Sequence, residues 1–328
     1  MDIDFVIPWV DGDDPDWISE YNKYSKTIKK NDDARSIRYK DYGLLKYWFR
    51  SIEKSAPWVR KIHFITNGQK PSWLNTDHPK LNWVKHEDYI PQEYLPVFSS
   101  HPIEINMHRI AGLAEHFVYF NDDMYLLKSV KPSFFFSKKG LPLDSAIFNC
   151  IVMSSISHIE VNNLIEINRI FEKYSIIKRN ILNWFNPLYG FNNYRNIVLF
   201  PWKNITGFFN AHLPQPFLKE TFNIVWEKYE NICIKTSMSK FRSITDINQY
   251  LFREWQLCSG AFSPCSINRR GRCFDIVKNQ KTISKYLRNP REPLVCINEG
   301  NEDNVDEHYD KIIEDFNYLF PQKSRFEL

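Results

Sequence analysis

Glycine is scarce in this chain, ten residues in 328, and none of the ten builds a Gly-rich phosphate loop. That excludes the common nucleotide-binding fingerprints, as well as collagen-like and linker-rich classes. A dominant charge is lacking too. Forty-three Lys and Arg against 39 Asp and Glu leave a formal charge of +4. That is too little to argue for nucleic acid, but it suits an anionic ligand or a peripheral visit to an acidic membrane surface. No apolar run approaches the roughly 18 residues that span a bilayer. The six cysteines (150, 233, 258, 265, 273 and 296) form no Cys-x-x-Cys pair. Cys258, Cys265 and Cys273 cluster loosely, at a spacing that fits no zinc ribbon or finger. Reduced, partly buried thiols are the expectation. The opening MDIDFVIPWVDGDD has no basic n-region of a signal peptide, so the chain is expected to be cytoplasmic.

What is abundant is aromatic: 16% Phe, Trp and Tyr, within an ordinary 43% hydrophobic and 25% charged composition. IDFVIPWV (3–10) reads as a strand cut off by the turn-like DGDDPDW. Leu45, Trp48, Phe49 and Ile52 then recur at helical spacing until Pro57. VRKIHFITNG (59–68) and LNWVKHED (81–88) read as further strands. A helix is expected across 102–116, on Ile103, Met107, Ile110 and Ala114, before the strand FVYFND. Strands alternating with helices predict an α/β fold with a doubly wound, mostly parallel sheet. The expected division is an α/β part over 1–135 and a more helical part over 136–328 that completes one catalytic domain. In that second part, helices are predicted at 214–232, at 243–258 with Ser243 as N-cap, and beyond the acidic stretch 298–307, itself read as a solvated turn. SFFFS (133–137) and the Trp-rich runs are read as core.

The informative stretch is FVYFNDDMYLL (117–127), which sets Asn121, Asp122 and Asp123 between two buried runs. A polar turn explains them; so does a divalent cation, since carboxylates that cannot be solvated need a metal or a partner. Asp11-Gly12-Asp13-Asp14, Asn67-Gly68-Gln69 and His86-Glu87-Asp88 likewise follow the carboxyl ends of predicted strands. In open α/β sheets that edge binds ligands. His212, in FFNAHLPQPF, is expected just before a helix start, where partial positive charge would keep its ring neutral and basic. Arg242 is expected at another helix start, as a grip on phosphate oxygens or a surface cation. Glu104 reaches the same sheet edge only if the loop before it folds that way.

Together, DFVIPWVDGDDPDW, RYKDYGLLKYWFRSIEKSAPWVRKIHFITNGQKPSWLN, FSSHPIEINMHRIAGLAEHFVYFNDDMYL, AHLPQPFLKETFNIVWE, TSMSKFRSITDINQYL and VCINEGNEDN resemble, in order, the signature blocks of the Stealth family. The resemblance implies a nucleotide-sugar-binding core and transfer of a hexose-1-phosphate from a UDP-sugar to an acceptor hydroxyl, with UMP released. The acceptor would be a glycan or lipid-linked glycan at the inner face of the membrane, with no nucleic acid involved. On matching positions it implies Asp122 and Asp123 as holders of Mg²⁺ or Mn²⁺. Glu104, Asp123, His212 and Arg242 would be catalytic, while Trp9, Val10, Asp11, Gly12, Asn67 and Gly68 would lie against the nucleotide. A metal-dependent glycosyltransferase releasing UDP and a non-catalytic carbohydrate-binding protein remain the alternatives.

Overall fold

The computed structural model describes residues 1–28, 39–154, 156–298 and 306–328, the side chains of Asp306 and Glu307 excepted. In chain order, the first part holds β1 (Ile3–Pro8), α1 (Pro15–Tyr24), α2 (Leu45–Ser55), β2 (Ile62–Thr66) and β3 (Leu81–Lys85). A short α3 (Ser100–Ile105), β4 (His116–Tyr119) and β5 (Met124–Leu126) follow. The second part runs β6 (Leu143–Asp144), α4 (Ser157–Ile170), α5 (Lys173–Arg179), α6 (Ile181–Trp184), α7 (Asn193–Leu199), β7 (Gln215–Leu218), α8 (Lys219–Lys228) and α9 (Glu230–Ser237). It continues with α10 (Gln249–Ser259), β8 (Ser263–Pro264), β9 (Gly271–Asp275), α11 (Ile276–Arg288), β10 (Leu294–Asn298) and α12 (Asp306–Leu319).

The main sheet has the order β3-β2-β1-β4-β7, parallel except for the antiparallel edge β7. Its strands alternate between two cores, as the two-residue period requires. Ile3, Phe5, Ile7, Ile62, Phe64, Val118 and Phe120 face one, packed under Trp48, Phe49 and Ile52 of α2. Val6, Ile65, Phe117 and Tyr119 face the other. Covered on both sides, these strands read in sequence as continuous apolar runs rather than alternating ones. A second sheet, β5-β10-β9, abuts the first, and β6 pairs with β8. The two parts of the chain interlock: β7 closes the main sheet, while β10 takes β5 from the first part. Phe135 and Phe136 are buried, and the described cysteines are free thiols.

Three expectations fail in instructive ways. The helix expected across 102–116 stops at Ile105, followed by one 3-10 turn at Met107–Arg109. The Asn106 side chain donates to the Pro102 carbonyl (2.9 Å) and to Ser237 Oγ (2.9 Å), competing with the backbone for the helix ladder. The helix expected from 214 begins at Lys219, because Pro214 and Pro216 lead into edge strand β7, where a missing N–H is tolerated. The helix expected from 243 begins at Gln249. Asp246 accepts from the Ser243 N–H in a turn, and Asn248 is the N-cap, accepting from the Tyr250 N–H (3.2 Å). The acidic stretch 298–307 lies almost wholly outside the described residues.

One buried charge ties the main sheet together. Asp4, fully buried on β1, accepts from Arg60 (2.9 and 2.5 Å), the Lys61 N–H (3.2 Å) and the Ala114 N–H (2.8 Å), with His63 Nε2 at 2.9 Å. Burial alone would raise its carboxyl; His63 and Arg60 outweigh that and hold it below the ordinary 3.8. A depressed carboxyl contributes stability that is complete above the ordinary value and is lost as pH falls toward the lower folded value. Asp4→Ala strands Arg60, His63 and two backbone donors, so urea unfolding at neutral pH should show a loss of about 3–5 kcal/mol. The gap between wild type and variant should narrow on acidification below about pH 4.

Candidate active site

Loops at the carboxyl edge of the main sheet build the site, where open α/β sheets bind ligands. The loop after β1 supplies Trp9 and Val10, that after β2 Asn67, that after β3 His86 and that after β4 Asp122. With Trp17, Tyr39, Val97 and Phe98 they line a pocket, open to solvent, of about 650 Å³. Its aromatic wall is well packed, the Trp17 ring centroid lying 4.8 Å from Tyr39 and 5.8 Å edge-on from Phe98. Pro8, Ser100, Asp122 and Arg242 belong to this pocket and also to an adjoining open cleft of about 1510 Å³. The cleft's other walls carry Glu104, His212, Tyr250, Cys273 and Asn298.

Asp123 lies under the cleft. Its Oδ2 accepts from Cys296 Sγ (3.2 Å) and Asn298 Nδ2 (3.2 Å), and its carbonyl accepts from the Ile297 N–H (2.9 Å). Oδ1 is buried and finds no partner among the described residues. Burial would raise this carboxyl, but the His212 ring, the Cys296 thiol and the Asn298 amide hold it below the ordinary value. His212 Nε2 stands 3.8 Å from Asp123 Oδ2, an ion-pair distance rather than a hydrogen bond. On its other side, His212 Nδ1 lies 3.2 Å from the Tyr250 hydroxyl.

His212 is not at a helix start. It precedes strand β7 in a left-handed conformation (φ 49°), its N–H donating to Asn210 Oδ1 (2.8 Å). The expectation of a ring kept neutral by a helix terminus therefore fails. Burial would lower its pKa, yet the Tyr250 hydroxyl and the Asp123 carboxylate raise it well above the ordinary 6.5. Arg242 likewise precedes a turn and not a helix; its Nη2 donates to Ser100 Oγ (3.3 Å) where pocket and cleft meet. Glu104 does reach the cleft, but as a fixed acceptor. Tyr119 Oη donates to Oε1 (3.2 Å) and the Gln249 N–H donates to Oε2 (3.2 Å), which sets the carboxylate against the N-terminus of α10.

Among the described residues, the one cluster of three His, Cys, Asp or Glu ligand atoms close enough to share an ion is Asp123, His212 and Cys296. Glu104 and Asp122 are not in it. Burial pushes the Cys296 thiol well up, which favours the protonated form that donates to Asp123. The orphaned Oδ1 of Asp123 fits a hard cation better than a soft one.

Matches to known proteins follow the same stretches. Residues 1–29 match conserved region 1 of Stealth proteins and residues 38–144 match conserved region 2. Over 329 aligned residues the chain is 42% identical to a capsular polysaccharide phosphotransferase, WcwK, of Streptococcus pneumoniae, covering 99% of this chain and 98% of the other. It is 39% identical to the receptor polysaccharide phosphotransferase WefC of Streptococcus oralis, covering 99% of each. It is 38% identical to the exopolysaccharide phosphotransferase cps2G of Lactiplantibacillus plantarum, covering 100% of this chain and 96% of that one. The chain belongs to the Stealth family. It is an enzyme, a phosphotransferase, and the non-catalytic alternative falls away.

In this Stealth chain Trp9, Val10 and Asn67 line the aromatic pocket, whereas Asp11, Gly12 and Gly68 stand behind it. Asp11 exchanges hydrogen bonds with Gln69 (3.1 and 2.8 Å), tying the first two loops together. Gly68 forms a turn at φ 113°. Gly12 lets the Tyr39 backbone close in, its N–H donating to the Tyr39 carbonyl at 2.6 Å. Sequence reasoning missed Tyr250, Cys296 and Asn298. The last two carried a signal: in VCIN, positions 296 and 298 share a strand face, the one turned to Asp123. A Cβ on Gly12 would lie 2.6 Å from the Tyr39 carbonyl oxygen and 2.7 Å from its Cβ. If the pocket takes the nucleotide that the resemblance implies, Gly12→Ala, by displacing Tyr39, should weaken UDP binding, measured calorimetrically, by about tenfold or 1.4 kcal/mol. Unaltered UDP affinity would separate the Tyr39 wall from nucleotide binding.

Proposed function

We propose that this enzyme moves a hexose-1-phosphate from a UDP-sugar to a hydroxyl of a capsular or exopolysaccharide acceptor, forming a phosphodiester and releasing UMP. The observation that carries this reading is the junction: Asp122, Arg242, Ser100 and Pro8 line both the aromatic pocket and the cleft holding His212. A base stacked in the pocket directs its diphosphate toward Asp122 and Arg242 and its sugar phosphate into the cleft. The polysaccharide phosphotransferase names of the relatives support the same reading.

The acceptor hydroxyl attacks the β-phosphorus, and the bond from that phosphorus to the bridging oxygen breaks, leaving the oxygen on UMP. His212 takes the acceptor's proton, and Asp123 favours the imidazolium so formed. Arg242 holds the equatorial phosphoryl oxygens, a role for a fixed planar cation. Glu104, bound to Tyr119 and the start of α10, keeps the cleft wall in place. Asp123 through its free Oδ1, with Asp122, would hold Mg²⁺ or Mn²⁺. When bound, that cation would neutralise diphosphate charge and, by sharing Asp123, favour the neutral form of His212.

Incubation with a UDP-sugar and acceptor should yield UMP and a phosphodiester resonance by phosphorus NMR, and excess EDTA should stop turnover until Mg²⁺ is restored. UDP as the main product would establish the glycosyltransferase alternative, and full activity in EDTA would remove the metal. His212→Ala should slow UMP release by about 10²–10⁴-fold while UDP-sugar still binds. A near-wild-type rate, or lost donor binding, would take the base role away from His212.

A further inference from the structure

The hydrophobic side chains left exposed are unevenly distributed. Of the 22 large ones among the described residues, 16 fall between residues 152 and 202. Monomeric soluble proteins rarely leave so much apolar surface together unless something covers it. On α4, Ile167 turns into the core and Ile159 is buried at the cleft wall, while Val161 and Ile165, one turn apart, face out at 42% and 46% exposure. A helix apolar on both faces is expected to be covered on both. Farther along, Phe191 stacks on Tyr194 (centroids 5.9 Å), exposed at 86% and 59%. Phe200 packs against Tyr174 (5.4 Å), and Lys173 ties α5 to the next exposed turn by donating to the Trp202 carbonyl (2.8 Å).

Beyond Glu172 the charges of this face have one sign, its acidic residues Glu160, Glu166 and Glu172 all coming earlier. From residue 173 to 219 there is no Asp or Glu, while Lys173, Lys178, Arg179, Arg195, Lys203 and Lys219 all fall there. Lys173 is buried; Lys178, Arg179 and Lys203 are exposed beside the apolar side chains. Two copies pressed together on this face would set like charges against each other, since a two-fold contact uses the same patch twice. Exposed Trp, Tyr and Phe interleaved with Lys and Arg is instead the composition of a surface that lies in a lipid headgroup layer. No helix among the described residues is long and apolar enough to cross a membrane. The same segment reaches the cleft, where Ser154, Ile156, Ile159 and Glu160 line one wall.

We propose that the face formed by residues 152–154 and 156–202 docks on the surface of an anionic lipid bilayer, setting the mouth of the cleft at the membrane–water boundary. Docking concerns this face alone; that it serves a lipid-linked acceptor rests on the function proposed above. The test is co-sedimentation of the whole chain with phosphatidylglycerol-rich vesicles and with pure phosphatidylcholine vesicles. Wild type should pellet with the anionic vesicles and release at high salt. Phe191→Ser/Trp202→Ser should lower binding at least tenfold, and Lys178→Glu/Arg179→Glu should lower it on anionic vesicles. Both variants should keep wild-type turnover on a water-soluble acceptor, which separates docking from phosphotransfer. Wild type left in the supernatant with every vesicle, or binding unchanged in both variants, would overturn the proposal. So would sedimentation velocity showing a wild-type dimer that Phe191→Ser/Trp202→Ser dissolves, for the face would then be a contact between two copies.

Discussion

The cleft depends on one part-buried carboxylate. Asp123 is held from three directions: its carbonyl by β10, its Oδ2 by Cys296 and Asn298, and its charge by His212 across 3.8 Å. The partners come from two distant stretches, β10 and the loop before β7, so both are fixed against the turn after β4 by this one residue. Burying a carboxylate is expensive unless its oxygens are occupied. Here the cost is met on one oxygen, while the other finds no partner among the described residues.

Around that centre the second rank of polar contacts is already satisfied, and this makes the cleft rigid. Glu104 is held by Tyr119 and by the first N–H of α10. His101 Nδ1 lies 2.9 Å from Asp246, which also takes Ser239 Oγ (2.7 Å) and the Ser243 N–H (2.9 Å). Arg253 on α10 meets the buried Asp144 at 2.8 and 2.9 Å. Of these, Glu104 with Gln249 and His101 with Asp246 cross between the two parts of the chain, and removing one member of a buried pair strands the other. Arg242, by contrast, makes a single long contact to Ser100, so its guanidinium retains donors that a phosphate can use.

The parts of the fold legible in sequence were those with unbroken local patterns. β1, β2, β3, β4 and α2 announce themselves by apolar runs and helical spacing, and the polar clusters that follow each strand mark the ligand edge. What was not legible depended on distant partners. Asn106 ends α3 through its own i−4 carbonyl and a serine 131 residues away, and Pro216 joins a strand edge that only the folded β4 provides. His212 and Arg242 reach the cleft without the helix starts expected for them, because they are placed by loops whose shape comes from Asn210 and Asp246. The residues were identifiable by type; the physical reason for their placement was not. Cys296 shows the converse. It reads as an ordinary core thiol until the pairing of β10 with β5 sets it beside Asp123.

The outer face bears on how the reaction is confined. A phosphoryl transfer succeeds only if the acceptor hydroxyl reaches phosphorus more often than water does, and the cleft is open. Positioning must then supply what enclosure does not. In the function proposed above, the donor would be fixed at its nucleotide end by the aromatic pocket and at its phosphates by Arg242. One wall of the cleft is the start of the apolar segment, where Ile156 and Ile159 stand beside Ser154 and Glu160. An acceptor tethered to the same surface on which that segment rests would meet the cleft at high effective concentration. Selection of the acceptor over water would then come from where the enzyme sits as much as from how tightly it binds.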